Sequence, residues 1–465
     1  MADLILWTGV QQAYPIRTGG AYQLASWCRQ FGYTVKVIDF CNFLTTNELV
    51  SITENHIDSN TIAIGINSGF WTLDVFEQDG VLQRGCYEPP WLLAAKPIIQ
   101  EKYPKLNWLL GGANSARTTL KGDYIRFHQY GENQLVKWLD EKTNRNITRP
   151  EFDIKNFVKR YDQSDNIKQQ EVLSIELGRG CIFKCKFCDF PMIGKKRGTY
   201  ERSKSDITAE LLYNYERFGT TKYFYTDDTV NESETKVKML ADIAQALPFE
   251  IEWMGFLRAD LIWSKPQTAQ WLKDSGLKSA YFGIETFNNE SSKVIGKGWS
   301  GNHAKNWLLG MKETWQNINW ELSMITGLPG WSPTELIEDT KFMIENDMHS
   351  WSFYSLDIRP NRSISNWHHS EFDLHYEKYG YRFDKHDLYN WILGDISRSE
   401  VEHLSCQANE DSYSHKKIAG WKLGLLANYT DTMSELMHKK SIDFDYTVID
   451  NRSNRFLQEY MGKNV

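Results

Sequence analysis

The stretch ELGRGCIFKCKFCDFP, residues 176–191, sets Cys181, Cys185 and Cys188 in a C-x-x-x-C-x-x-C spacing directly after the apolar run VLSIEL at 172–177. Three of the seven cysteines thus fall within eight residues, while Cys28, Cys41, Cys86 and Cys406 are scattered. In a reducing compartment such crowding indicates metal chemistry and not disulfides. Thiolates are soft ligands that select zinc or iron-sulfur clusters. A structural zinc site wants a fourth ligand at comparable spacing, and no nearby cysteine or histidine supplies one. Three thiolates hold three irons of a 4Fe-4S cube and leave the fourth iron open for chemistry. Buried free thiols or a zinc knuckle are the alternatives that the spacing alone leaves standing.

Outward from this loop, further candidate strands lie at 222–226 (KYFYT), 251–256 (IEWMGF), 279–285 (SAYFGIE), 318–326 (INWELSMIT) and 352–358 (SFYSLDI), with a helical pattern in every gap. Six such units indicate a partial (β/α)6 barrel over 171–360. On the amino-terminal side, strands near 4–7, in TVKVIDF, at 61–68 and in LNWLLGG alternate with helices, AYQLASWCRQFG and 90–102 among them. That alternation builds a Rossmann-like parallel sheet over 1–140, whose ligands sit at the carboxyl ends of its strands. Residues 141–170 are polar and read as a linker. Residues 361–465, with helical stretches such as HKKIAGWKLGLLANYTDTMSELMHKK, read as a mainly helical cap over the substrate pocket.

A chain of 465 residues divides into two to four domains at roughly 100–200 residues each, so disulfide-stapled miniature folds are excluded. Charged residues are 24% and hydrophobic ones 41%, an ordinary globular composition. The net charge of −7 with scattered Lys and Arg gives no footprint for nucleic acid. No apolar run approaches the ~18 residues of a membrane span, and MADLILWTGV lacks a basic n-region. The expectation is a cytoplasmic protein with neither membrane nor nucleic-acid partners. Lys195, Lys196 and Arg197 read as a solvated turn, and His368 and His369 beside Trp367 as structural histidines.

The cysteine loop, placed after the first strand of a partial barrel, resembles the radical S-adenosylmethionine (radical SAM) superfamily. The resemblance implies that the open iron binds SAM and that one electron splits it to methionine and a 5'-deoxyadenosyl radical. It also implies a reducing partner of flavodoxin or ferredoxin type and a small-molecule substrate. Carried over residue by residue, it puts Phe187 near adenine, Asp227 and Asp228 in the loop toward the methionine end of SAM, Arg258 near the SAM carboxylate, and Glu285 at the ribose or amine. The family's glycine-glycine-glutamate form is absent at Asp227 and Asp228, and Asp260, Lys297 and the TGLPGWSPTE turn complete the likeness.

Taken in order, GGAYQLASWCRQFGYTVKVIDF, IAIGINSG, LLGGANS and QYGENQLVKWL resemble the cobalamin-binding domain of B12-dependent radical SAM enzymes. That likeness implies cobalamin contacts in three loops: Thr18, Gly19 and Gly20; Asn67, Ser68 and Gly69; Gly111, Gly112, Ala113 and Asn114. The aspartate-x-histidine-x-x-glycine motif is missing, and no histidine precedes His56, so the lower face of a bound corrin lacks a histidine. The function implied is cobalamin-dependent methylation of an unactivated carbon or phosphorus. The alternatives are a corrin-free cyclisation or rearrangement and, from another class, a non-catalytic iron-sulfur carrier or sensor.

Overall fold

Strand β1 (Leu4–Thr8) is buried along its whole length, as a continuous apolar run must be when both faces of a parallel sheet are covered. The computed structural model describes residues 1–9, 16–69, 71, 73–78, 80–112, 115, 122–127, 131–167, 171–190, 200–360 and 369–415. From β1 the chain passes through α1 (Gly19–Gln30), β2 (Val35–Ile38), α2 (Thr46–Glu54), β3 (Ala63–Asn67), β4 (Leu73–Gln78), β5 (Val81–Cys86), α3 (Pro90–Lys102), β6 (Asn107–Gly111), β7 (Ile125–Arg126) and α4 (Glu132–Lys142). Strands β2, β1, β3, β6 and β7 pair in that order, all parallel. The carboxyl ends of β1, β3 and β6, at Thr8, Asn67 and Gly111, therefore share one edge. Helix α1 closes where Gly32 takes φ +80°, a left-handed turn that a side chain resists.

The second sheet runs β8 (Val172–Ile175), α5 (Lys204–Phe218), β9 (Lys222–Tyr225), α6 (Glu234–Ala246), β10 (Glu252–Leu257), α7 (Ala259–Ser264), α8 (Gln267–Asp274), β11 (Leu277–Glu285), α9 (Asn289–Ile295), α10 (Gly301–Thr314), β12 (Asn319–Thr326), α11 (Pro333–Glu345) and β13 (Ser350–Ser355). Its six strands stand in sequence order and all pair parallel, which is the partial barrel. Period-two alternation divides each strand. In β11, Phe282 turns outward among the rings of Trp307, Trp315 and Trp320. Its neighbour Tyr281 lies on the opposite face, against Phe256. Much of the chain's tryptophan is core: Trp253, Trp315, Trp320 and Trp351 are fully buried.

The described part of the last segment is mixed and not helical alone. Between α12 (Glu371–His375) and α13 (Arg398–His415) lie three antiparallel strands, β14 (Tyr381–Asp384), β15 (Asp387–Leu393) and the short β16 (Ile396–Ser397). Residues 416–465, with most of the expected helical pattern, lie outside the described residues. Strand β15 pairs parallel with β5 at Asp387 and Leu82, so a four-strand path β14-β15-β5-β4 stitches the last segment to the first domain. Helix α13 covers the edge strand β13, where Asn409 both accepts from the Phe353 N–H (2.7 Å) and donates to its carbonyl (2.9 Å). That capping removes an open edge available for pairing with another chain. No helix among the described residues is long and apolar enough to cross a membrane.

The two parallel sheets share core. Val172 and Met254 of the second join Ile5, Trp7, Ile64 and Trp108 of the first in one buried cluster. A buried ion pair reinforces the junction. Arg17 donates from Nε (2.5 Å) and Nη2 (2.9 Å) to the Glu171 carboxylate, and its remaining donors reach Tyr22 Oη and the carbonyls of Asp165 and Asn166. Removing one member of such a pair strands the other in low dielectric. Glu171→Gln is therefore expected to lower unfolding free energy by about 3–5 kcal/mol, read by urea denaturation; an unchanged midpoint would show that the pair does not hold the sheets together.

Candidate active site and cofactor cavity

The loop after β8 carries the cysteines and is tied down at several points among its described residues. Gly180 supplies a φ of +87°, and Arg179 N–H reaches the Tyr200 carbonyl at 3.2 Å. The Cys188 N–H closes a turn on the Cys185 carbonyl at 3.0 Å, and Lys186 bridges Ile295 and Phe372 through its backbone. All three cysteines are free and half-buried. The Cys181 sulfur lies 3.5 Å from Thr229 Oγ1, and the Cys185 sulfur accepts from Arg258 Nη1 at 3.2 Å. Burial pushes the Cys181 thiol up and Cys188 up to about 12, with Asp189, Cys185 and Asp228 adding to the push on Cys188. A soft cation displaces such protons. Among the described residues no three His, Cys, Asp or Glu side chains are placed around a single ion. Three cysteine sulfurs carried by one loop suit a cluster in which each sulfur meets its own iron.

Around this loop the expected SAM residues fall in different settings. Phe187 packs against the apolar cluster that includes Leu328, Leu356 and Trp391, which ties the loop to the last segment. Asp227 is buried, and both its oxygens are used by the fold: Oδ1 accepts from the Leu177 N–H and Oδ2 from Lys236 Nζ, each at 2.7 Å. Asp228 is exposed. Arg258 and Asp260 are buried and joined by two hydrogen bonds, at 3.1 and 2.6 Å. Glu285 ends β11 with φ +69°, at a register shift against β12, and Lys297 Nζ stands 3.3 Å from its carboxylate. A glutamate in the left-handed region stores about 1–3 kcal/mol of strain. Such strain concentrates where a side chain is aimed at a ligand.

A cavity of about 430 Å³ opens between the two sheets. From the first domain Thr18, Gly19, Gly20, Asn67, Gly69, Gly111 and Gly112 line it; from the second, Ser174, Glu176, Arg179 and Thr226. Ser68 instead knits two of the loops, its hydroxyl donating to the Gly111 carbonyl at 2.7 Å. Ala113 and Asn114 lie outside the described residues, as do Lys195, Lys196, Arg197, Trp367 and His368. A Cβ built at Gly20 or Gly111 meets nothing within 4 Å, whereas one at Gly112 would lie 2.3 Å from Asn67 Oδ1. Bare backbone thus faces the space at two points, and close loop packing demands glycine at the third. Asp39 fixes Thr18 by accepting its N–H at 2.9 Å, and burial pushes this carboxyl up to about 7 against those donors.

Sequence reasoning missed the polar wall of this cavity. Arg179 pairs with Glu176 and Glu132, each at 2.8 Å, and Gln23 donates to the same two carboxylates at 3.0 and 3.1 Å. The network links α1, α4 and the start of the cysteine loop, from Glu176 just past β8 to Arg179 two residues before Cys181. No local pattern marks four residues drawn from three distant segments.

Residues 175–343 match the family model described as the radical SAM superfamily. They form a radical SAM domain. The heme chaperone HemW of Buchnera aphidicola subsp. Acyrthosiphon pisum is 25% identical over 198 residues, 39% of this chain and 49% of that protein. The match therefore spans about half the length of that relative. An uncharacterized methyltransferase of Pyrococcus horikoshii is 28% identical over 122 residues, 26% of each chain. Among solved structures, the radical SAM methyltransferase TsrM from Kitasatospora setae, with tryptophan and a SAM analogue bound, superposes with a TM-score of 0.63. Identity is 12%, over 99% of this chain and 98% of that one. The cobalamin-dependent radical SAM enzyme OxsB, with aqua-cobalamin bound, superposes with a TM-score of 0.52 at 15% identity, over 81% of this chain and 56% of that one. TsrM thus shares the fold from end to end, and OxsB over about four fifths of this chain and just over half of its own. The radical SAM domain implies a 4Fe-4S cluster and SAM, and its cysteine loop lies at the carboxyl edge of the barrel sheet, where catalytic loops of β/α barrels gather.

Proposed function

We propose that this chain is a radical SAM enzyme that cleaves SAM reductively at a 4Fe-4S cluster on Cys181, Cys185 and Cys188. We further propose that it methylates an unactivated carbon or phosphorus of a small molecule with cobalamin bound between the sheets. The observation that carries the reading is the cavity: strand-end loops of the first domain form one side, and Ser174, Glu176 and Arg179, directly before the cluster loop, form the other. The same two-sheet fold in TsrM, solved with cobalamin and a 4Fe-4S cluster bound, supports it. When bound, the cluster would supply the electron that breaks the sulfonium bond, and the corrinoid would carry the methyl group. The chain's own residues position and shield. The Arg179 network fixes the cluster loop against α1 and α4, Gly20 and Gly111 let backbone approach a flat macrocycle, and Glu285 offers an acceptor to a hydroxyl or amine. An electron donor of flavodoxin or ferredoxin type would supply the reducing equivalent.

The test has two arms. Anaerobically reconstituted protein with SAM and a strong reductant is expected to form 5'-deoxyadenosine, and its absence would overturn the radical reading. Protein incubated with hydroxocobalamin and desalted is expected to keep the corrinoid colour; a colourless protein fraction that still forms deoxyadenosine would overturn the cobalamin assignment and leave corrin-free chemistry.

A further inference from the structure

Arg258 has more constraints than a surface ion pair needs. Its backbone, just past β10, is locked to the loop after β9 by a reciprocal pair: Arg258 N–H donates to Asn231 Oδ1 and Asn231 Nδ2 donates to the Arg258 carbonyl, both at 2.9 Å. Its guanidinium plane is fixed by Asp260, which takes Nε at 3.1 Å and Nη2 at 2.6 Å. The Phe183 ring, from the cysteine loop itself, lies 4.1 Å from Cζ. Three of the five N–H groups then remain, and Nη1 donates one of them to the Cys185 sulfur at 3.2 Å. Arg258, Asp260 and Asn231 are all buried, so water does not compete strongly for these donors.

We propose that Arg258 is a tuning residue: it donates a charge-assisted hydrogen bond to the Cys185 thiolate and raises the reduction potential of an iron-sulfur cluster held there. The inference rests on the cluster assignment above, and assigns Arg258 a target other than the SAM carboxylate. Reduction adds an electron to the cluster and increases negative charge on its sulfurs. A fixed cation donating to one of those sulfurs stabilises the reduced form more than the oxidised one. Guanidinium suits the task because it stays charged and its rigid fork serves Asp260 and the sulfur together. A lysine ammonium is a point charge that cannot keep both geometries.

The test is a potentiometric titration of reconstituted wild-type and Arg258→Lys protein, followed by EPR in the absence of SAM, so that a SAM contact does not enter the reading. At a fixed ambient potential the variant is expected to show about a tenfold lower ratio of reduced to oxidised cluster, a midpoint about 59 mV more negative for one electron. Iron and sulfide content shows whether each protein carries the cluster. Should Arg258→Lys fail to fold, Arg258→Gln, which removes the charge, is titrated instead and is expected to shift in the same direction. Equal midpoints in two cluster-loaded proteins would overturn the tuning role alone. Wild-type protein that takes up no iron-sulfur cluster would overturn the cluster assignment, and the tuning role with it.

Discussion

Cys185→Ala is expected to fold, to take up little or no iron and to form no 5'-deoxyadenosine above the level of reductant alone. The residue is half-buried on a loop, and its removal leaves Arg258 still held by Asp260 and Asn231. The cost to the fold is therefore about 1 kcal/mol, in the range of an average point substitution. The cost to the cofactor is much larger. With two sulfurs left of three, two irons lack a protein ligand and no neighbouring cysteine can substitute. The control is Cys28→Ala. That thiol lies in the core of α1, where burial pushes it up to about 12, so its loss should lower the melting temperature while iron content stays at the wild-type value. Iron and sulfide analysis with product chromatography reads both variants. Wild-type iron content in Cys185→Ala would remove this loop from cluster binding, and iron loss in Cys28→Ala would indicate a second metal site.

The barrel was legible because its strands are mostly buried and rich in apolar and aromatic residues. The expected 222–226 and 318–326 differ from Lys222–Tyr225 and Asn319–Thr326 by one residue at one end. The hairpin of β4 and β5 was not anticipated, although Asp79–Gly80 is a two-residue turn signal and Gln78 pairs with Val81 across it. Strands β14 and β15 were missed as well. Their partner on one side, β5, lies about 300 positions earlier in the chain, and tertiary pairing of that kind overrides local preference. In the candidate site, motif position gave the cysteines their place on the loop after β8, Glu285 its place at the end of β11, and the glycines theirs beside the cavity. It could not assign Asp227, because Lys236 and the Leu177 N–H engage its carboxylate only once the sheet and α6 are in place. The pairing of Arg258 with Cys185 spans 73 positions and follows from β8 and β10, the two strands that flank β9, releasing their loops at the same edge of one sheet. Long-range polar contacts are settled by topology, and a single sequence carries no local trace of them.

Gly20→Leu is expected to weaken cobalamin retention at least about tenfold, equivalent to 1.4 kcal/mol, without destabilising the fold. Gly20 is the second residue of α1, lines the cavity, and has nothing within 4 Å of where a Cβ would stand. A leucine there clashes with no protein atom near its Cβ and fills space that the macrocycle would need. On the protein side the effect has the opposite sign: replacing glycine by leucine within a helix favours the helix by up to about 1 kcal/mol. A melting temperature that holds or rises while the corrinoid washes off therefore separates occlusion from unfolding. Gly310→Leu is the matched control, since Gly310 also lies in a helix, α10, with open space beyond it and no part in the cavity; it should keep the wild-type corrinoid content. Radical cleavage of SAM by Gly20→Leu should continue, because the cysteine loop is built from other segments. Retention of hydroxocobalamin by Gly20→Leu at wild-type stoichiometry would place the corrin away from this cavity and detach the first domain from the proposed methyl transfer.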